Sequence, residues 1–414
     1  MSTQDKITWN IITKYFEDNK DFIVKHHVNS YNDFVQNGIP RIFRDSNPIK
    51  IMKEQDETTK EFQLQCELYL GGKKGDKIYY GKPIIYDEDD RKHFMFPNVA
   101  RLRNMTYAFS IHYDVEVEFK IGNGDGTFSE SSIVLEKQFL GRFPIMLQSD
   151  LCILKGLDNE ARFNIGECRN DPGGYFIIDG KEKAIVSQEK FANNMLNIKD
   201  GVNDIYSHAA EIRTASEDPS KPIRTLSVRM VAPSPSMANG QIVVNVPNVR
   251  KPVPLFILMR ALGVISDKEI IETCLLDIEA NKDYVDLFTP SVYDAGRIFT
   301  QEDALQYIST LTKTKTIPST MHLLMDFFLP NIGELNFKQK AYFLGYMVKR
   351  MLAVYKKDEA PTDRDSFKYK RVELSGSLIY DLFLEYYKLQ LRDIFVKIDS
   401  KYYYHRGTYQ DNFT

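Results

Sequence analysis

Near the start of the chain, apolar residues fall at Ile7, Ile11, Ile12, Tyr15 and Phe16, which is a helical spacing. HHVNSYNDFVQNGIP follows, and Gly38 and Pro40 end the periodic pattern there, so the sequence predicts an opening pair of helices. From Phe62 the period shortens to two. FQLQCELYLGG and HYDVEVEFKIGNGDG alternate apolar and polar positions through Tyr113, Val115, Val117 and Phe119, then meet glycine-rich turns, which predicts antiparallel sheet. YFIID and KAIVSQ continue this region as β-rich runs on either side of the Asp179-Gly180 hairpin signal.

The character changes near Asn193. DGVNDIYSHAAEIRTASEDPSKP (Asp200 to Pro222) reads as a polar, turn-rich boundary, and RTLSVRMVAP and GQIVVNVPN read as two further strands joined by a Pro/Ser-rich turn. After KPVP the period becomes helical through LFILMRALG, DKEIIETCLLD, EDALQYISTLT and MHLLMDFFLP. KQKAYFLGYMVKRMLAVY places Ala341, Leu344, Met347, Val348, Met351, Leu352 and Tyr355 on one stripe, and polar KKDEAPTDRD breaks it at Pro361. The last helix, SLIYDLFLEYYKLQLRDIFVKI, is amphipathic through Leu378, Leu382, Tyr386 and Ile394. The fold class is therefore α+β: mixed antiparallel sheet and helices, with a second module of short strands and packed helices. No internal repeat or low-complexity tract appears.

Composition narrows the functional classes. At 414 residues, with 43% apolar and 27% charged residues and a net charge of −3, the chain can bury a sizeable core and is neither a basic nucleic-acid tail nor an acidic solvating segment. Nucleic-acid contact must be a local patch. VPLFILMRALGVI is interrupted by Arg260 and is shorter than the roughly 20 apolar residues a bilayer requires, so no membrane span is expected. The N-terminus MSTQDKITWN has no targeting pattern, which implies an intracellular protein. Cys66, Cys152, Cys168 and Cys274 form no C-x-x-C pair and are expected to be buried, reduced thiols.

Several stretches resemble chemical motifs without meeting their requirements. A phosphate loop needs G-x-x-x-x-G-K-[ST]; Gly174 to Gly180 has five intervening residues, and Glu182 stands where the magnesium-binding hydroxyl belongs. DPGGYFIIDGKEK is thus a turn-and-strand scaffold. GNGDG (Gly122 to Gly126) joins two strands, and a calcium-loop alignment puts Ile121 and Ser132 at ligand positions, so it reads as a hairpin turn. DEDD (Asp87 to Asp90) offers carboxylate oxygens to a divalent cation, but beside Arg91 and Lys92, with no strand or helix to fix it, a solvated loop is the plainer reading. No nucleophile–His–acid set and no metal-ligand set can be assembled. TDRDSFKYKRVEL differs: Arg364, Lys368, Lys370 and Arg371 alternate with Phe367 and Tyr369, which suits a nucleic-acid backbone, although an exposed loop paired with Asp363 and Asp365 is the plainer alternative.

Taken in order, ARLRNMTYAFSIHYDV, FLGRFPIML, GECRNDPGGYFIIDGKEKAIVSQEK, AEIRTASE, VPLFILMRALGVISDKEI, KAYFLGYMVKRML and DRDSFKYKRVELSGSL resemble the N-terminal third of the second-largest subunit of multisubunit DNA-dependent RNA polymerase, of the eukaryotic, archaeal and large-DNA-virus type. The abundance of Asn, Lys, Ile and Tyr resembles an AT-rich viral genome. The resemblance implies a protrusion formed by residues 1–199 and 357–414, with a lobe at 200–356 inserted in it. The chain would stop before the fork, as a fragment or one product of a split gene. The implied function is one side of the DNA cleft in transcription, active only in the assembled polymerase. Lys181, Lys183 and Gln188 on the scaffold hairpin, with Arg364, Lys370 and Arg371, are the residues implied to lie near nucleic acid; Ser366 and Lys368 depart from the His and Gly usual in this part of the family. Catalytic residues and metal ligands are expected to be absent, since the family holds its Mg2+ on aspartates of the largest subunit. Implied partners are that subunit, the remainder of the second-largest subunit, template DNA and nascent RNA, with no membrane. The implied location is the nucleus, or a cytoplasmic viral factory or virion. The alternative is a free-standing, non-catalytic nucleic-acid-binding or scaffold protein that keeps the protrusion and lobe fold.

Overall fold

The computed structural model describes residues 3–404 apart from 20, 56–59, 87, 88, 90, 123–126, 218–220 and 235–238. The GNGDG turn and the DEDD run therefore lie largely outside the described residues. The chain divides into two compact units: Met1–Gln188 with Val372–Thr414, and Glu189–Arg371.

The first unit opens with α1 (Thr3–Asp18) and α2 (Lys25–Asp33), the expected helical pair. The helical path then runs past the residues expected to stop it. A π-helical turn (Phe34–Gly38) leads directly into α3 (Ile39–Ser46). Pro40 occupies the first turn of α3, a position where a missing N–H is tolerated, so it does not end the helical path. Tyr31, Phe34, Ile39, Ile42 and Phe43 bury the inner face of this run. On α1, by contrast, Ile7, Ile11, Ile12, Tyr15 and Phe16 are all exposed.

Next come β1 (Ile49–Gln55), β2 (Phe62–Leu70), β3 (Ile78–Tyr80), β4 (Ile84–Tyr86), β5 (Lys92–Phe94), α4 (Pro97–Leu102), β6 (Ala108–Gly122) and β7 (Phe128–Pro144). Strands β1, β2, β6 and β3 form an antiparallel sheet, and β7 pairs with β6. Strands β2 and β7 both pair with Val115–Ile121, so they lie on opposite sides of β6. Period-two alternation places Cys66 and Leu68 beside Phe119 and Val117 on one buried face, as the sequence predicts. After α5 (Asn159–Asn164), β8 (Phe176–Ile178) and β9 (Lys181–Lys183) make a separate hairpin in which Ile178 faces Lys181 across Asp179-Gly180. Of KAIVSQ only Lys183 lies in β9, and Gln188 begins the next strand; Ala184 to Ser187 have no regular structure, and Val186 is exposed.

The second unit begins in β10 (Gln188–Phe191) and continues into β11 (Leu196–Asp200), β12 (Tyr206–Thr214), β13 (Arg224–Val231), β14 (Ile242–Asn245) and β15 (Val253–Pro254). The last five form an antiparallel meander in that order. Strand β12 corrects the polar-boundary reading of Asp200 to Pro222. Its Ala209, Ala210, Ile212 and Thr214 are buried, and alanines, which favour strands weakly, hid the pattern. Ile198, Ala210, Val228, Val244 and Val253 make one buried row across all five strands.

Helices α6 (Leu255–Ala261), α7 (Asp267–Leu275), α8 (Lys282–Val285), α9 (Thr289–Asp294), α10 (Gln301–Leu311), α11 (Ile317–Asp326) and α12 (Phe337–Lys356) complete this core. Every residue of α6 is buried. That includes Arg260, which donates to the carbonyls of Ile265 and Ile298 and pairs with Asp267. The predicted α12 stripe is buried at Ala341, Leu344, Met347, Val348, Met351 and Leu352, with Tyr355 left exposed at its end. A 3-10 turn (Phe367–Tyr369) and β16 (Lys370–Glu373) follow; β16 pairs with β10. The second unit thus spans Glu189 to Arg371.

The chain ends its described course in α13 (Ser375–Tyr404), within the first unit. Its buried face keeps Ile394 but is otherwise offset from the expected one. Leu382 and Tyr386 are exposed, whereas Ile379, Phe383, Tyr387, Leu391, Ile394 and Ile398 meet the core. Aromatic contacts decide the rotation: Tyr387 lies 4.7 Å from Phe43, and Phe383 lies 5.6 Å from Phe143. Cys66, Cys152 and Cys274 are buried free thiols, but Cys168 is exposed, contrary to expectation.

Candidate nucleic-acid interface

In the second unit the basic segment is fixed by its backbone. The Thr362 amide donates to the Ile198 carbonyl (2.9 Å), and its Oγ1 accepts from the Ile198 amide (3.1 Å). Asp363 Oδ1 accepts from the Asp365 amide (3.0 Å), and Ser366 Oγ accepts from the Lys368 amide (3.4 Å) at the start of the 3-10 turn. The Ala192 amide donates to the Tyr369 carbonyl (2.8 Å), which brings Phe191 against the loop. These are the local turn bonds expected of Asp and Ser.

Phe191 organises the cations. The Arg364 guanidinium lies 4.1 Å from its ring centre and the Lys370 amine 4.2 Å, both within cation–π range. The structure thereby brings Arg364 and Lys370 together, through a residue that the sequence reading did not single out. Lys370 is 13% exposed and is also 3.6 Å from Glu189 and 3.8 Å from Asp365, so its charge is balanced locally. Arg371 donates to the carbonyls of Lys370 (2.7 Å) and Lys368 (3.4 Å). Among the described residues, neither Arg364 nor Arg371 is within salt-bridge distance of a carboxylate. Phe367 and Lys368 are exposed beside them. The loop thus presents two uncompensated guanidinium groups and an open aromatic ring on a pinned backbone, a surface able to hold phosphate oxygens and stack on a base or sugar.

In the first unit, the β8–β9 hairpin is held by residues 105–107. The Gly180 amide donates to the Met105 carbonyl (3.0 Å), the Tyr107 amide to the Ile177 carbonyl (3.0 Å), and Asp179 exchanges 3.1 Å bonds with Thr106. Lys181 and Lys183 share one face of β9 and are exposed; Glu182, on the other, binds Arg101 (2.9 Å). Arg101 also reaches Glu167 (3.4 Å) and donates to the Tyr175 hydroxyl oxygen (2.6 Å), while Tyr175 OH donates to Asp171 (2.5 Å). Burial, then the bond to Asp171, pushes the Tyr175 phenol far above its ordinary range. This network sits under the hairpin and fixes which face carries the lysines. Gln188 is exposed at the start of β10.

The glycines of the first unit's scaffold face protein. A Cβ on Gly173, whose φ is +76°, would meet the Leu147 carbonyl at 2.4 Å, and one on Gly180, at φ +75°, the Asn104 Cα at 2.8 Å. Close packing, with no room for a phosphate, explains them. Among the described residues no three His, Cys, Asp or Glu side chains come together as metal ligands, and no helix is long and apolar enough to cross a membrane.

Residues 22–410 match the family described as RNA polymerase beta subunit. The chain is 36% identical to the DNA-directed RNA polymerase II subunit RPB2 of Encephalitozoon cuniculi over 92% of its own length and 33% of that protein. It is 30% identical to the subunit RPB2 of Schizosaccharomyces pombe, over 94% of its length and 33% of the relative's. It is likewise 30% identical to the DNA-directed RNA polymerase subunit Rpo2N of Methanothermobacter thermautotrophicus, over 91% of its length and 71% of the relative's. The chain thus spans about a third of the two eukaryotic relatives. Family match, relatives and the α+β architecture agree: the chain belongs to the RNA polymerase beta subunit family and corresponds to the N-terminal part of the second-largest subunit.

Proposed function

We propose that this chain is a non-catalytic part of a DNA-directed RNA polymerase, in which it forms one side of the DNA cleft. The first unit is then the protrusion and the second the lobe. Nucleotidyl transfer needs metal-held carboxylates, and in this reading the Mg2+ ions belong to the largest subunit. The chain's own residues position nucleic acid: Arg364 and Arg371, with Lys181 and Lys183, neutralise phosphates without reading sequence. The remaining partners are the rest of the second-largest subunit, template DNA and nascent RNA, and the location is the nucleus or a cytoplasmic viral factory.

The observation that carries this reading is the pinned 362–371 loop, whose two guanidinium groups are exposed and, among the described residues, have no carboxylate within salt-bridge distance. In the assembled polymerase, Arg364→Ala with Arg371→Ala should weaken binding of any DNA sequence alike and lower the salt slope, log Kd against log salt, by roughly one per lost phosphate contact. An unchanged slope, measured by fluorescence anisotropy, would remove the loop from the interface.

A further inference from the structure

The two edges of the first unit's main sheet are treated differently. On one side, β1 is seven residues long and is covered by α13: Lys53 pairs with Asp399, and the Tyr402 hydroxyl donates to Glu54 (2.9 Å). On the other, β7 runs for 17 residues and, among the described residues, pairs with β6 alone. Its register is unbroken from Phe128 opposite Gly122 to Leu135 opposite Val115. The next stretch is disturbed by a bulge, where Lys137 has φ +48° and its amide turns to Asp114 Oδ1 (2.8 Å).

Ser131 to Leu135 reads SSIVL, an uncharged and strand-favouring run, and Ile133, Val134 and Leu135 are all exposed. An edge of this length and composition normally carries charges, proline or a covering element, because its free N–H and C=O groups pair readily with another strand. This one carries none over five residues. By register, Ile133 and Leu135 extend the apolar face of Val117 and Val115 past the point where that face is buried. On the opposite face, Glu136 has no cation within salt-bridge distance among the described residues, while Glu116 and Glu118 of β6 are held by Lys77 and Lys73.

We propose that the free edge of β7 over Ser131–Glu136 takes an extended segment of a different polypeptide as an additional strand. Its recognition is by chemistry. Apolar side chains at alternate positions cover Ile133 and Leu135, and a lysine or arginine on the other face meets Glu136, while the backbone row fixes the strand. The inference stands apart from the transcription reading, since it uses only the sheet of this chain.

The test uses the full chain and, as probe, a blocked octapeptide alternating valine and lysine. Hydrogen exchange of Ser131–Glu136 is followed with and without peptide. Saturating peptide should slow exchange there by about tenfold or more and leave Ile49–Gln55 on the covered edge unchanged. The same peptide with a central proline should give no protection, and Ile133→Lys with Leu135→Lys should abolish the effect while exchange elsewhere stays native. Absence of protection in the unaltered chain, equal protection from the proline peptide, or persistence in the double variant would overturn the proposal. So would self-association through β7 on sedimentation, lost in the double variant, which would make the occupant a second copy.

Discussion

The two units differ in how they treat apolar surface. In the second, α6 is buried along its whole length, the α12 stripe packs against β11 and β12, and each guanidinium nitrogen of the buried Arg260 has a partner within the unit. In the first, the sheet and the inner faces of α2, α3 and α13 make a core, yet the α1 stripe, the β7 edge and the outer face of α13 remain uncovered. Apolar periodicity therefore marks surface able to be covered: the second unit covers its α12 stripe, whereas the first covers its β2–β6 alternation and leaves the α1 stripe exposed.

The largest expected effect breaks the sealed core. Leu344→Ala, at a fully buried position of α12, should cost about 3 kcal/mol in urea unfolding, because the packed neighbours cannot close the cavity. In the first unit, Gly180→Ala should cost about 2 kcal/mol, combining a left-handed φ with a Cβ against the Asn104 backbone, and a thermal melt should show the loss.

A smaller effect depends on pH. Lys340 is fully buried, its amine donating to the carbonyls of Leu324 (2.8 Å) and Met325 (2.9 Å), and burial lowers its pKa to about 8. The folded amine releases its proton at lower pH than the unfolded one, so between about pH 8 and roughly 10.5 the unfolded state binds more protons and stability rises with pH. Lys340→Met lacks this titration. Unfolding in parallel at pH 7.5 and 10, the wild-type chain should gain on the variant as the pH rises; a constant difference would mean that the amine titrates normally.

The smallest effect is the informative contrast. Ile11 is 65% exposed on α1, so Ile11→Ser should change the isolated chain by less than about 0.5 kcal/mol, despite its place in a helical stripe as regular as that of α12. A loss comparable to that of Leu344→Ala would mean that α1 is packed in solution.

Local signals are the most legible in the sequence. The α12 stripe, the β2–β6 alternation and the Asp179-Gly180 turn are local patterns whose chemistry fixes their structure. What escaped depended on distant partners. The face of α13 is chosen by Phe43 and Phe143, one residue round from the face that the leucines suggest. Strand β12 is held by neighbours on both sides despite its alanines. In the candidate interface the cations were visible as a run, but the Phe191 ring that gathers Arg364 and Lys370 comes from another part of the chain, and only folding brings it there.

The most direct test of the account is affinity purification of the tagged chain from its native cells, followed by subunit stoichiometry and a DNA-templated RNA synthesis assay. The account expects near-equimolar recovery of the largest polymerase subunit with the rest of the second-largest one. RNA synthesis should appear in that assembly and be absent from the chain alone. Recovery of the chain without polymerase subunits, or nucleotide incorporation by the isolated polypeptide, would contradict it.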